Sequence, residues 1–318
     1  MKRFGYFLTK NSKKLEVKVE LSPLQLSNLK RCLLSIYEDV FRVCDKYGLC
    51  LMLTGGSALG AVRHKGFIPW DDDMDLLMPR KDYDKLIEVL PKELGDKYYF
   101  SAPQMDQPAH SLFLKIYRKD TVVSVWPFFK KEGVHLDIFP LEYTPNSLFL
   151  TFLKSCVSFT LRTITICSKK DELRNKNFEK AMSVNLSSFF YYKICCLIGL
   201  VFSFKNQKYW FDLYDKFVSM SKKTKYMAIP TGKHHYKGEL FPVDFYLPPM
   251  KGEFEGRSVF LPNKCGDLLT NLYGNYMQIP PVDKRECHFY IEFNLDSDSE
   301  NNRKDEYGNK NAKENNMA

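Results

Sequence analysis

Apolar residues recur along this chain in two rhythms. Leu26, Leu29, Leu33, Ile36, Val40 and Val43 are spaced by three or four residues and so share one side of a helix. Ser22-Pro23 with Gln25 supplies a capping box and a first-turn proline, and Gly48 stands where that helix should end. The apolar run Leu49 to Leu53 reads as a buried strand ending at Thr54. After Gly55-Gly56-Ser57, Ala58 to Val62 reads as one or two helical turns. From Asp73 the rhythm becomes strict alternation, Asp73-Met74-Asp75-Leu76, which in a strand sets both carboxylates on one face and the apolar pair on the other. Pro79 is expected to stop pairing, and Lys81 to Leu90 to form a helix that ends before Pro91. Tyr98 to Ser101, Ser111 to Arg118 and Thr121 to Phe128 carry strand composition. In Gly133 to Phe139, Val134, Leu136 and Ile138 alternate with His135 and Asp137.

At Leu148 the pattern changes. Leu148 to Cys167 and Leu186 to Phe204 are long, apolar and rich in aromatic residues, with the charged stretch Ser168 to Lys180 between them. The second approaches the length of a membrane-spanning helix with Lys193 its one charge, but it also contains Ser187, Ser188, Tyr191, Tyr192 and Ser203. The first contains Lys154 and Arg162. Three readings stay open: a helical insertion packed on the rest, helices lying on an anionic membrane surface, and a true span. Short strands and turns return from Glu239 to Pro262, Asp267 to Tyr276 reads as a helix, and from about Asp296 almost nothing is available to bury. The expected organisation is an N-terminal segment (1–21), a core (22–147), a basic apolar helical insertion (148–236), the C-terminal part of the core (237–295) and a disordered tail (296–318).

Composition adds limits. With 318 residues and 44% hydrophobic content the chain can build a full core. Lys plus Arg number 47 against 38 acids, a formal charge of +9 that suits anionic partners without choosing among them. Within 148–236 there are fifteen Lys/Arg and five Asp/Glu. The nine cysteines form no C-x-x-C, and several lie in apolar runs, which fits reduced thiols in the cytoplasm better than disulfides or zinc. The N-terminal apolar run is too short for a signal peptide.

The stretch Leu53 to Met78 carries the chemistry. Glycines after a strand let a ligand approach the backbone, and amides opening a helix favour an anion. Two neighbouring carboxylates repel unless a cation lies between them, and an all-oxygen site suits magnesium or manganese. Asp137, amid aliphatic residues on a core strand, also needs a partner. Asp73, Asp75 and Asp137 are therefore the candidate metal ligands and catalytic residues, with Asp137 suited to taking a proton from an acceptor hydroxyl. Gly55, Gly56 and Ser57 would hold phosphate, and Arg63, His64 and Lys65, read as a loop, would reach it. Lys115 and Arg118 rank behind them, and Asp71 and Asp72 support the metal site from outside. A phosphate turn beside a carboxylate pair describes a metal-dependent phosphoryl-group enzyme.

The run G-G-S-A-L-G-A-V-R-H-K-G-F-I-P-W-D-D-D-M-D resembles the signature of the LicD family, which is similar to the fukutin-related proteins. L-K-I-Y-R-K-D-T at 114–121, H-L-D-I-F-P-L at 135–141 and Y-G-N-Y-M-Q-I-P-P-V-D-K-R-E-C-H at 273–288 extend the resemblance, with Asn275 where the family commonly has Asp. It covers roughly 24 to 290 and is weakest across 148–236. It implies an α+β, polymerase-beta-like nucleotidyltransferase core, a short mixed sheet flanked by helices, with a helical insertion. Its G-S turn, D-x-D strand and third Asp map onto Gly56-Ser57, Asp73/Asp75 and Asp137, and its closing K-R motif brings Arg285 into the substrate-binding set. The implied reaction moves a phospho-alcohol, foremost phosphocholine, from a CDP-alcohol donor to a hydroxyl of a cell-surface glycan or its lipid-linked precursor, releasing CMP. The cysteine pattern points to the cytoplasm, peripheral contact at the inner face of the membrane stays an open reading, and no nucleic-acid partner is expected. Nucleotidyl transfer, and a non-catalytic basic module binding membrane or nucleic acid, are the rivals; the complete acid set and the lack of an aromatic-basic RNA motif speak against the latter.

Overall fold

The computed structural model describes residues 7, 11, 21–105, 111–125, 127, 130–220, 222–282, 285, 288 and 290–295. The expected tail, 296–318, and most of the expected N-terminal segment, 1–21, lie outside the described residues.

Twelve strands occur among the described residues. They are β1 (Met52–Leu53), β2 (Asp75–Pro79), β3 (Tyr98–Ser101), β4 (Leu114–Arg118), β5 (Val122–Val125) and β6 (Lys131–Glu132), then β7 (His135–Thr144), β8 (Tyr226–Ala228), β9 (Phe241–Pro242), β10 (Met250–Phe254), β11 (Arg257–Leu261) and β12 (Tyr290–Asn294). The central sheet runs β1-β2-β7-β4-β3, with β8 joined to β7 and β9 to β8. Among the described residues only β2 and β7 pair in parallel, and Asp75 stands opposite Asp137 in that register. β10 and β11 form a hairpin, and β12, β5 and β6 a small antiparallel sheet. The fold is α+β with a mixed sheet.

Helix Pro23–Tyr47 forms as its signals dictate: Ser22 and Gln25 make the reciprocal capping box and Gly48 closes the helix in the left-handed conformation. Its apolar side, with Leu33, Ile36 and Val40 all but fully buried, packs with Leu76, Ile116 and Ile138 in the main core. The opposite face of the sheet covers a second cluster of Met52, Leu77, Leu141 and Met227. β2 is thus sandwiched, and its central residues Leu76, Leu77 and Met78 have no exposed surface.

Several elements differ from the sequence expectation. The helix after the glycines begins at Gly55 and runs to His64. β2 starts at Asp75, so Asp73 lies in the chain leading into the strand. Pro79 remains paired, opposite Leu141, because its missing N–H falls at the last position before helix Arg80–Leu94 begins. That helix also passes through Pro91, with buried Leu90 and partly buried Leu94 holding its last turn on the core. β7 extends five residues beyond Phe139, to Thr144. Residues 226–228, inside the stretch expected as insertion, are β8 of the central sheet. The helices of that stretch before β8, chiefly Leu148–Cys167, Leu186–Val201 and Gln207–Val218, end at Val218. Leu148–Cys167 is the one helix among the described residues long and apolar enough to cross a membrane. The eight cysteines among the described residues are free.

Candidate active site

The pairing of β2 with β7 brings acids 62 residues apart in sequence onto adjacent strands, Asp75 opposite Asp137. β4 pairs on the other side of β7 with Lys115 opposite Asp137, and Lys115 Nζ donates to both Asp137 oxygens, at 2.8 and 3.0 Å. The same ammonium lies 2.8 Å from His135 Nε2. Burial and the Lys115 charge push His135 down to about 4, so the ring is neutral at physiological pH.

The other acids crowd the start of β2. Burial, then repulsion from Asp73, Asp137 and Asp71, drives Asp75 well above the usual carboxylate range. Asp73 is raised chiefly by burial, with Asp72 and Asp137 adding repulsion. Asp71 is raised to about 8 by burial and by its neighbours Asp73 and Asp72. Packed carboxylates that resist ionisation in this way make a site prepared for a cation, since a divalent ion would remove the repulsion. Asp72 behaves differently: burial pushes it up, but His288 more than offsets that. His288 places Nδ1 2.9 Å from Asp72 Oδ1 and donates its backbone N–H to Oδ2 at 2.9 Å. Desolvation opposes charge on His288, whose side chain is half exposed, yet Asp72 and then Asp73 raise it to about 9. Asp72, Asp73 and His288 each offer a ligand atom within 4.8 Å of the others, a group able to hold a divalent metal.

The glycines meet these acids. Gly55 has φ +54°, and a Cβ there would lie 3.0 Å from Asp75 Oδ2; at Gly56 it would lie 2.9 Å from Asp71 Oδ2. The Ser57 hydroxyl accepts the backbone N–H of Asp75 at 2.9 Å. Thr54 N–H reaches the Asp75 carbonyl at 3.0 Å, so the helix start and the acid strand are tied at two points.

The expected site residues take the following places. Ser57 is 3% exposed, and its hydroxyl fixes the main chain of Asp75 by accepting that residue's N–H. Arg63 and His64 occupy the last helical turn and Lys65 its left-handed cap, not a loop. Arg63 donates to His64 Nε2 at 2.9 Å and to the Tyr276 carbonyl at 2.5 Å. Lys115 serves Asp137 directly, and Asp73 shares with Asp72 and His288 a group of ligand atoms within 4.8 Å of one another, while Asp75 stands opposite Asp137 on the paired strands. Asp71 belongs among the crowded acids instead of outside them. Arg285 stacks on Trp70, its guanidinium 4.2 Å from the ring centroid.

Residue-by-residue reasoning also passed over Tyr273, whose hydroxyl would lie 3.8 Å from a Gly55 Cβ and whose ionisation is opposed by burial, then by Asp75 and Asp71. It passed over His288 as well. Both stand in the 273–288 motif, the signal that could have found them.

A buried acid cluster fronted by a glycine-opened helix is the arrangement of a metal-assisted phosphoryl-group enzyme, and the comparisons narrow that class. Residues 48–165 match the model of the LicD/FKTN/FKRP nucleotidyltransferase domain, so the resemblance to the LicD family read from the sequence holds. The chain is 25% identical over 272 residues to the lipopolysaccharide cholinephosphotransferase LicD of Haemophilus influenzae, covering 84% of this chain and 97% of that protein. It is 29% identical over 109 residues to the human ribitol 5-phosphate transferase FKRP, covering 32% of this chain and 22% of that protein. An uncharacterized protein of Rickettsia prowazekii is 37% identical over 62 residues.

Proposed function

We propose that this protein transfers a phospho-alcohol, foremost phosphocholine, from a CDP-alcohol to a hydroxyl of a cell-surface glycan or its lipid-linked precursor, releasing CMP. The observation that carries this reading is the convergence of Asp71, Asp73, Asp75 and Asp137 in front of the Gly55–Gly56 helix start. The LicD and FKRP relatives, named for cholinephosphate and ribitol 5-phosphate transfer, support the class of group moved. The core is read as nucleotidyltransferase-like over 22–147 and 237–295, interrupted by the helical segment from 148.

In this reading Asp73, Asp75 and Asp137 would hold magnesium or manganese, with Asp71 beside them. When bound, the ion supplies charge neutralisation to the donor diphosphate and to the departing phosphate of CMP. The open amides of Gly55 and Gly56 face the donor phosphates. Arg63, His64, Lys65 and Arg285 line the approach from the helix end and the C-terminal segment, and Lys115 holds Asp137 in place. Asp137 accepts the proton of the acceptor hydroxyl as that oxygen bonds to phosphorus. The bond from phosphorus to the bridging oxygen breaks, and CMP leaves with the electron pair. The reaction takes place in the cytoplasm, at the inner face of the membrane where a lipid-linked acceptor is presented.

The test is incubation with CDP-choline, CDP-ethanolamine, CDP-ribitol and CDP-glycerol in magnesium, scoring CMP release and alcohol phosphate on the glycan. Asp75→Asn should reduce transfer by at least about a hundred-fold, as expected when a charge-stabilising group is removed. Release of the alcohol phosphate with CMP left on the acceptor, or full activity in Asp75→Asn, would overturn the reading.

A further inference from the structure

Two helices of this chain are built inside out. Along Leu148–Cys167 the buried positions include Thr151, Ser158 and Thr165. Thr165 donates to the Trp210 carbonyl at 3.1 Å, Lys154 to the Val218 carbonyl at 2.9 Å and Arg162 to the Gly232 carbonyl at 3.0 Å. The apolar side looks outward: Phe149 is 68% and Phe152 62% exposed. Leu186–Val201 also carries apolar side chains outward: it buries Ser188 and Gly199 with Tyr192 and Cys195, the latter two in a small apolar cluster, while Phe190 and Leu197 are 58% and 60% exposed. The two helices pack together closely, for a Cβ on Gly199 would lie 2.3 Å from the Cys167 carbonyl oxygen.

A water-facing amphipathic helix has the opposite polarity, so this surface calls for an apolar neighbour. Charge selects which one. The stretch 148–236 holds fifteen Lys/Arg against five Asp/Glu, so a second copy would bring like charge against like, whereas an anionic lipid surface brings the complement. Lysine ammonium groups sit over aromatic rings beside this surface, Lys193 Nζ 5.1 Å from the Phe189 centroid and Lys205 Nζ 5.2 Å from that of Tyr209, Lys193 also pairing with Glu179 at 3.0 Å. The bonds from Lys154, Arg162 and Thr165 pin Leu148–Cys167 along its length to the rest of the protein, which leaves one side for lipid and rules out a helix surrounded by it.

We propose that the outward faces of Leu148–Cys167 and Leu186–Val201 form a monotopic docking surface for an anionic lipid bilayer, the helices lying flat at the headgroup–acyl boundary. This deepens the membrane contact of the proposed function but rests on the surface alone, so binding is tested without donor or acceptor. The full chain is floated with phosphatidylcholine vesicles containing about one-third phosphatidylglycerol, and with phosphatidylcholine alone. The protein should float with the anionic vesicles and bind at least about ten-fold more weakly to the neutral ones. Replacing Phe149, Phe152 and Phe190 by serine should weaken binding by a further factor of about ten or more while CMP release with a soluble acceptor persists. Phe152→Trp, which keeps an apolar side chain, should add fluorescence that brominated lipids quench. Failure to float, flotation unchanged by the three serines, or unquenched fluorescence would overturn the proposal. So would lipid-free dimers that the same serines disperse, which would make the face a contact between copies. Flotation without any CDP-alcohol activity would uphold the surface and sink the proposed reaction instead.

Discussion

Arg80 opens the helix that follows β2 and balances two buried acids. Its Nε donates to Glu142 Oε1 at 2.7 Å and one terminal nitrogen to Asp215 Oδ1 at 2.8 Å. Glu142, on β7, is 1% exposed and Asp215, on helix Gln207–Val218, 8%. The cluster therefore joins the far end of the acid strand to its parallel neighbour and to the helical segment. Arg80→Met keeps much of the volume and removes the charge. Each acid must then stay buried and unpaired or take a proton. Holding a carboxyl protonated about three pH units above its ordinary value costs about 4 kcal/mol at about 1.4 kcal/mol per unit. Two acids would set a ceiling of about 8 kcal/mol. Part of this is offset because burial already raises both groups despite Arg80, and because the desolvation of the guanidinium disappears. The expected loss is about 3–5 kcal/mol at pH 7.

The pH dependence has a definite sign. Without Arg80, both acids have folded-state values further above their unfolded ones, so the variant is penalised most at neutral pH and recovers as pH falls. Between pH 7 and pH 5 the gap to the parent should narrow by about 2–3 kcal/mol for each acid that protonates. Urea unfolding of both proteins at the two pH values measures it. Adding Glu142→Gln to Arg80→Met should recover part of the loss, because the buried charge is gone. A loss below about 1 kcal/mol at pH 7, or a gap unchanged between the two pH values, would refute the reasoning.

Two further outcomes are expected. Gly56→Ala puts a methyl 2.9 Å from Asp71 Oδ2, so transfer should fall about ten-fold or more as that carboxylate is displaced, while the thermal midpoint stays within a few degrees because alanine favours the helix; unchanged turnover would count against Asp71 as part of the site. Burial works against charge on Asp39, but hydrogen bonds from Lys97 Nζ and Tyr98 Oη, both 2.6 Å, outweigh it and lower its value. Asp39→Asn should cost about 1–3 kcal/mol at neutral pH, and the cost should fade as pH falls below about 4, where the parent's carboxylate also takes a proton. Denaturation at pH 7 and in mild acid checks this; a cost that does not change with pH would contradict it.

What the sequence determined by itself was local or periodic. Ser22, Pro23, Gln25 and Gly48 specify the first long helix because capping and left-handed termination involve neighbours a few residues apart. Alternation marked strands around Asp75 and Asp137, though Asp73, expected on the same strand face as Asp75, lies before β2, and an acid among aliphatic residues implied a partner. Tertiary structure decided which partner. Lys115 reaches Asp137 only because β4 pairs with β7 in a particular register, and His288 reaches Asp72 across 216 residues. Only the fold showed that Arg63 meets the Tyr276 carbonyl, 213 residues away in sequence and 2.5 Å away in space. The same limit applies to the apolar helices: composition marked 148–167 and 186–204 as apolar stretches holding a few polar residues, but burial is relative to a neighbour, and packing against Gln207–Val218 and the 230–232 turn decided that Thr151, Ser158 and Thr165 face inward. Charge and alternation are written along the chain; which groups meet is set by contacts whose closure no local spacing encodes.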